Sequence, residues 1–198
     1  LLAASILPAF LVLGLRVGDT ISAYFLLMLL YSFVLKQVVI LDVFTIAAGF
    51  NLRVLAGALT IHTQHFSPWL YVCTTLLALF LGIAKRRSEL SLLSESAGQH
   101  RPILEEYSTQ LLDEMIMVVI SATLMAYCLY TFSAPNLPKN HAMMFSIPFD
   151  IYGLFRYLYL IRVKGEGGSP ENVLLTDVPL MLDILLWVVT AVIILYLF

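Results

Sequence analysis

Lys85, Arg86, Arg87 and Glu89 close an apolar run, LFLGIAKRRSEL at 79–90, with no spacer between the last hydrophobe and the first cation. Three consecutive cations are the chemistry of polyanion binding. A guanidinium grips two phosphate oxygens with its planar fork, and an ammonium adds a compact point charge. Glu89 is placed to orient one of these side chains or to reach a metal. The plainer role of such a cluster is to fix the orientation of a membrane segment.

Two more constellations place charge inside apolar sequence. Asp42, Gly49 and Arg53 are spaced by seven and four, which puts them on one helical face. Arg53 lies about 16 Å along that helix, at a depth where a charge is costly and needs a partner. Gly49, Gly57 and the neighbouring alanines let helices approach closely. Phe149, Tyr152, Arg156 and Tyr159 form a second stripe, a guanidinium between two phenols. Asp183 is the expected partner of Arg156 or Arg53. In both stripes the competing reading is structural: a buried ion pair for Arg53, an interfacial aromatic belt for Arg156.

These residues sit in a chain of 198 residues that is 61% apolar and 12% charged. A soluble domain carries about 25% charged residues. With a mean hydropathy of +0.93, the sequence reads as an all-α, polytopic transmembrane helical bundle. Seven apolar spans are expected at roughly 1–15, 20–38, 43–61, 69–84, 109–132, 145–161 and 179–198. Ser67 with Pro68, Ser108, and Asp177 before Pro179 supply helix starts. Cys73 and Cys128 are separate small hydrophobes, the four histidines show no metal-site spacing, and KGEGGSPEN at 164–172 follows no strand. Nothing points to nucleic acid.

Alternating the connections puts Lys36, Lys85, Arg86, Arg87, Arg101, Arg162 and Lys164 on one side and only Arg16 and Lys139 on the other. The positive-inside rule makes the richer side cytoplasmic. That side also collects Asp42, Glu89, Glu95, Glu105, Glu106, Glu166, Glu171 and Asp177. A mixed field of this kind suits a polyanion held by cations and metal-bridged carboxylates, or simply a solvated surface. Asp113 and Glu114 read as acids that complement the dipole of the helix after Ser108.

YSFVLKQVVILDVFTIAAGFNLRVLAGA (31–58), LALFLGIAKRRSEL (77–90), HRPILEEYSTQLLD (100–113), FRYLYLIR (155–162) and GGSPENVLLTDVPLMLDILLW (167–187) together resemble the decaprenyl-phosphate phosphoribosyltransferase family, a branch of the UbiA superfamily of membrane prenyltransferases. The resemblance covers nearly the whole chain. It implies a nine-helix fold with a cavity facing the cytoplasm, of which this sequence would supply helices three to nine as a single domain over 1–198, with a cytoplasmic loop at 85–108. The family's aspartate-rich loop, NDxxDxxxD, which holds magnesium, has no counterpart here. The expectation is a chain that begins inside its protein and is inactive alone. Relatives often show YxxxK, whereas Tyr31 and Lys36 are five apart. KRRSEL stands where aromatic prenyltransferases carry a second DxxxD.

The implied reaction moves 5-phosphoribose from phosphoribosyl diphosphate to a polyprenyl phosphate of the decaprenyl type, with Mg2+ as cofactor, at a bacterial inner membrane. Two polyanions in one cavity repel, and direct cations offset that repulsion. The residues expected to bind substrate are Tyr31, Lys36, Asp42, Arg53, Lys85, Arg86, Arg87, Glu89, Arg156 and Tyr159. No catalytic residue and no metal ligand is named. Inverting the charge of Arg86 is expected to cut turnover without unfolding the chain. The partners are the two substrates and the lipid bilayer, with a homo-oligomer left open. Prenylation of an aromatic ring and anion transport are the competing functions.

Overall fold

Long runs of good helix formers, interrupted by Gly, Pro and β-branched clusters, wind the chain into helices, and no strand occurs among the described residues. In the computed structural model these are residues 14–60, 67–95, 102–135, 137–165 and 170–197. The helices are α1 (Leu15–Phe33), α2 (Leu41–Thr60), α3 (Pro68–Glu95), α4 (Thr109–Ser133), α5 (Ile147–Arg162), α6 (Pro170–Thr176) and α7 (Val178–Leu197), with 3-10 turns at Leu35–Gln37, Pro102–Glu106 and Ala142–Ser146. Residues 1–13 of the expected first span, Arg101, Glu166, and His62, His65 and His100 lie outside the described residues. The chain divides into two compact units, Leu1–Phe66 and Ser67–Phe198.

In the first unit α1 and α2 pack on each other. Gly49 faces α1 closely: a Cβ there would lie 2.8 Å from Met28 Cε and 3.5 Å from Tyr24 Cε2. The small-residue face expected at Gly49 is therefore a helix contact. Gly57 has open space around its Cα and makes no such approach. Asp42, Val43 and Ala47 are buried at the start of α2. The residue before α2 is strained. Ile40 holds φ at 70°, a left-handed conformation in which a β-branched side chain crowds the backbone. Ile40→Gly is expected to stabilise the chain by about 1 kcal/mol, read as a rise in melting temperature.

In the second unit α3 packs along α4, and α5 packs on α4 and α7. Phe80 and Ile83 from α3, Leu112 and Ile116 from α4, and Leu160 and Ile161 from α5 are fully buried together with Ser146. Phe80 meets Tyr157 edge-on at 5.2 Å and 66°. A polar chain crosses this interior. Trp187 donates to the Tyr127 hydroxyl at 2.7 Å. Ser146 uses its own proton on the Met143 carbonyl, so Tyr127 must donate to Ser146 Oγ across their 2.6 Å contact. Each buried polar atom on this path has a partner, which locks α4, α5 and α7 in one register.

Four described helices are long and apolar enough to cross a membrane: Leu41–Thr60, Pro68–Ser91, Thr109–Ser133 and Val178–Leu197. α7 has a mean hydropathy of 2.6 over its best window, of which only 22% is buried. Such a surface is stable only in lipid. The protein is an all-α, polytopic integral membrane protein.

Helix ends differ from those expected. The span expected at 69–84 is part of a 28-residue helix that runs to Glu95, so KRRSEL is helix and not loop. Nothing in KRRSELSLLSE opposes helix, and loss of apolarity ends a membrane span without ending a helix. At 1.5 Å per residue α3 is about 42 Å long, against roughly 30 Å of hydrocarbon. Lys85 has no need to snorkel. Ser67 Oγ is buried and finds no hydrogen-bond partner among the described residues, so it does not cap α3. Ser108 does cap α4, accepting from Leu111 N at 3.1 Å.

Candidate functional site

Successive residues on a helix point about 100° apart, so three adjacent cations in the C-terminal half of α3 reach in three directions. Lys85 is exposed. Arg86 is buried, its side chain 4% exposed, and its Nη1 pairs with Glu89 Oε2 at 2.6 Å. Glu89 thus orients Arg86. Arg87 turns toward α4, where its Nε meets Asp113 Oδ1 at 2.6 Å. Its Nη1 donates to the Ile161 carbonyl of α5 at 3.3 Å. Arg162, at the end of α5, reaches the same acid, with Nη2 at 3.5 Å from Asp113 Oδ1 and 3.2 Å from the Asp113 carbonyl. One carboxylate near the start of α4 therefore ties the C-terminal half of α3 to the end of α5.

Burial corrects the expected Arg86 test. A glutamate in that space would sit buried beside Glu89, and like charges at low dielectric unfold a site before they report on catalysis. Lys85 is the cation of the triplet that is exposed and makes no ion pair among the described residues.

The aromatic stripe on α5 keeps its expected face, and Arg156 lies over the Tyr159 ring at 5.2 Å. The partner is not Asp183. Arg156 Nε and Nη2 bind Asp177 Oδ1 and Oδ2 at 3.0 and 2.8 Å, a two-pronged pair. Asp177 Oδ1 also accepts from Leu180 N at 3.0 Å and so caps α7. The Arg156 guanidinium bonded to it holds the Asp177 carboxyl below the ordinary carboxylate range, against the opposing effect of burial. A lowered folded value gives stability that is complete above the unfolded value near 4 and is lost as pH falls through the lowered value. Asp177→Asn is therefore expected to melt lower than the parent chain by a constant interval from pH 8 to about pH 5. That interval should shrink below about pH 4, as the parent's carboxyl takes up its proton.

Arg53, in the first unit, also has a partner of a different kind from the one expected. It is exposed, donates to the Tyr24 hydroxyl at 2.7 Å, and lies 5.1 Å from the Tyr24 ring and 5.5 Å from Phe50. A phenol and two ring faces hold it. Tyr31 is half-buried on α1, Lys36 is exposed on the 3-10 turn, and Asp42 is buried in the first turn of α2. Lys85, Arg86, Arg87, Glu89, Arg156 and Tyr159 belong to the second unit. Spacing gave no sign that Asp113, Arg162 and Asp177 join these residues. Asp113 is 26 residues from Arg87 in sequence, beyond the reach of any helical periodicity.

No known family profile matches the chain. The chain is 29% identical over 186 residues to the decaprenyl-phosphate phosphoribosyltransferase of Corynebacterium glutamicum, an alignment of 92% of this chain and 55% of that protein. It is 29% identical over 178 residues to the protein of that name from Mycolicibacterium smegmatis, with 85% and 55% covered. With that of Mycobacterium tuberculosis it shares 26% over 167 residues, with 84% and 54% covered. The chain spans about half the length of the curated relatives it matches. The helices that carry KRRSEL and the Arg156 stripe are thus those of a chain similar, over most of its length, to decaprenyl-phosphate phosphoribosyltransferases, in agreement with its resemblance to that branch of the UbiA superfamily.

Proposed function

We propose that this chain forms part of an enzyme that transfers 5-phosphoribose from phosphoribosyl diphosphate to a polyprenyl phosphate at the cytoplasmic face of a bacterial membrane. The observation that carries this reading is the charged C-terminal half of α3. An exposed Lys85 projects from a helix whose next two cations are fixed by Glu89 and Asp113, in a chain similar to enzymes of that name.

An oxygen of the lipid phosphate attacks C1 of the ribose, the C1–O bond to diphosphate breaks, and diphosphate leaves with the electron pair. The nucleophile is already ionised at neutral pH, so no general base is needed. Acceleration then comes from holding two polyanions together and from stabilising the charge that develops on the leaving group. Lys85 would contact a phosphate directly. Arg86 and Arg87, already paired with Glu89 and Asp113, would hold this part of α3 in place around Lys85. Arg156 has its fork engaged by Asp177, so its part would be to shape the site with Tyr159.

The resemblance implies magnesium. The described residues do not fit it: they contain no group of three or more His, Cys, Asp or Glu able to hold a metal ion, and Glu89, Asp113 and Asp177 each face an arginine. No step is assigned to magnesium on these residues.

The test offers the full-length protein in detergent two sets of substrates. One is phosphoribosyl diphosphate with a polyprenyl phosphate; the other is a polyprenyl diphosphate with an aromatic acid. A lipid carrying phosphoribose from the first set alone is the expected result. A prenylated aromatic product would overturn it in favour of ring prenylation. Movement of anion across proteoliposomes with no new product would favour transport.

A further inference from the structure

Away from Lys85–Glu89, the second unit has a half-open cavity of about 280 Å³ between α3, α5, α6 and α7. Its wall is built from Phe80, Leu154, Tyr157, Leu180, Ile184 and Trp187, and two carboxylates, Asp150 and Asp183, enter it. Asp183 is 8% exposed and meets no hydrogen-bond donor or cation among the described residues. Asp150 Oδ2 is buried and accepts no hydrogen bond among them either. The space for Asp183 comes from Gly153, where a Cβ would lie 2.8 Å from Asp183 Oδ2. The nearest arginine on α5, Arg156, is spent on Asp177. Buried carboxylates are ordinarily paired, and an ionisable side chain left without a partner inside a membrane protein marks a functional site.

We propose that this cavity binds a small organic ammonium ion with an apolar or aromatic tail. The two charged groups that enter the cavity, Asp150 and Asp183, are both acceptors when ionised. An ammonium has three donors and no acceptor, so it satisfies both carboxylates and leaves nothing of its own unpaired. A polyol would bring several oxygens that need donors, whereas the described wall supplies the Tyr157 hydroxyl and Trp187 Nε1, the latter already used by Tyr127. A divalent metal would need about six oxygens, and the apolar wall supports no shell of water to supply the rest. Aromatic faces at Phe80, Tyr157 and Trp187 add attraction for a cation and contact area for its tail. The proposal does not depend on the phosphoribosyl-transfer reading.

The test uses the full chain in detergent at pH 7, in a Trp69→Phe background so that Trp187 emission reports on the cavity. The probe is 2-phenylethylammonium, compared with neutral 2-phenylethanol and with Mg2+ alone. The ammonium is expected to give a saturable change, and the alcohol to bind at least about tenfold more weakly. Asp183→Asn and Asp150→Asn should each weaken the ammonium about tenfold or more, while melting no lower than the parent, since each removes a buried unpaired charge. Equal binding of ammonium and alcohol, a saturable change with Mg2+ alone, unchanged affinity in both variants, or no saturable binding would each overturn the proposal.

Discussion

Lys85→Glu in the full-length protein is expected to lower phosphoribosyl transfer about a hundredfold or more, the scale of losing one preorganised charge contact to a developing anion. Its melting temperature should stay within a few degrees of the parent. Lys85 is exposed and free of ion pairs among the described residues, so no packing depends on it. On the proposed function, reversal places a carboxylate beside the substrate phosphates, and the repulsion grows as charge develops on the departing diphosphate. Steady-state kinetics should show a higher KM for phosphoribosyl diphosphate together with a lower kcat. Lys85→Arg keeps the charge and should retain most of the rate. A Lys85→Glu enzyme of normal turnover would reduce KRRSEL to a determinant of membrane orientation.

Asp113→Ala should act through structure first. Among the described residues Asp113 is the acid that both Arg87 and Arg162 reach, and its loss leaves two guanidinium groups facing each other between α3, α4 and α5. Hydrogen bonds to charged groups contribute about 1.5–3 kcal/mol each, and the partial exposure of this cluster puts the expected loss near the lower end, about 2 kcal/mol. Activity should fall as well, because the turn that carries Lys85 is held against α4 and α5 through Arg87. Asp113→Glu keeps the charge and should recover most of the stability. Thermal melting and turnover measured on the same preparations separate the two effects. Unchanged melting in Asp113→Ala would show that the arginines find other acceptors.

Much of this was legible in the sequence because a membrane segment declares itself by composition. The helices around Ala47–Gly49, Ala78–Ala84, Ile116–Ile120 and Leu185–Ile194 follow from apolar length alone, and the caps at Ser108 and Asp177 from residue type and position. The ends were less legible. Apolarity stops at Ala84 while helix propensity continues to Glu95, and the two were read as one boundary. Spacing groups each charged stripe on one helical face, since 3.6-residue periodicity fixes faces, but Arg53, expected inside, is exposed. The partners of these charges were not legible, because partners are set by helix packing: Arg156 chose Asp177 over Asp183, and Arg53 took a phenol. Asp183 instead occupies space left by Gly153, a close approach that no spacing rule announces.

The most direct measurement follows the ribose carbon. Full-length protein in detergent would receive phosphoribosyl diphosphate labelled in the ribose, a polyprenyl phosphate and magnesium, and the label would be counted in the organic phase with the product identified by mass. Label in the lipid fraction as phosphoribosyl-phosphoryl-polyprenol, with one diphosphate released for each ribose moved, is the predicted result. Label remaining in the aqueous phase for every polyprenyl length offered would contradict phosphoribosyl transfer and, with it, the assignment of Lys85 to a substrate phosphate.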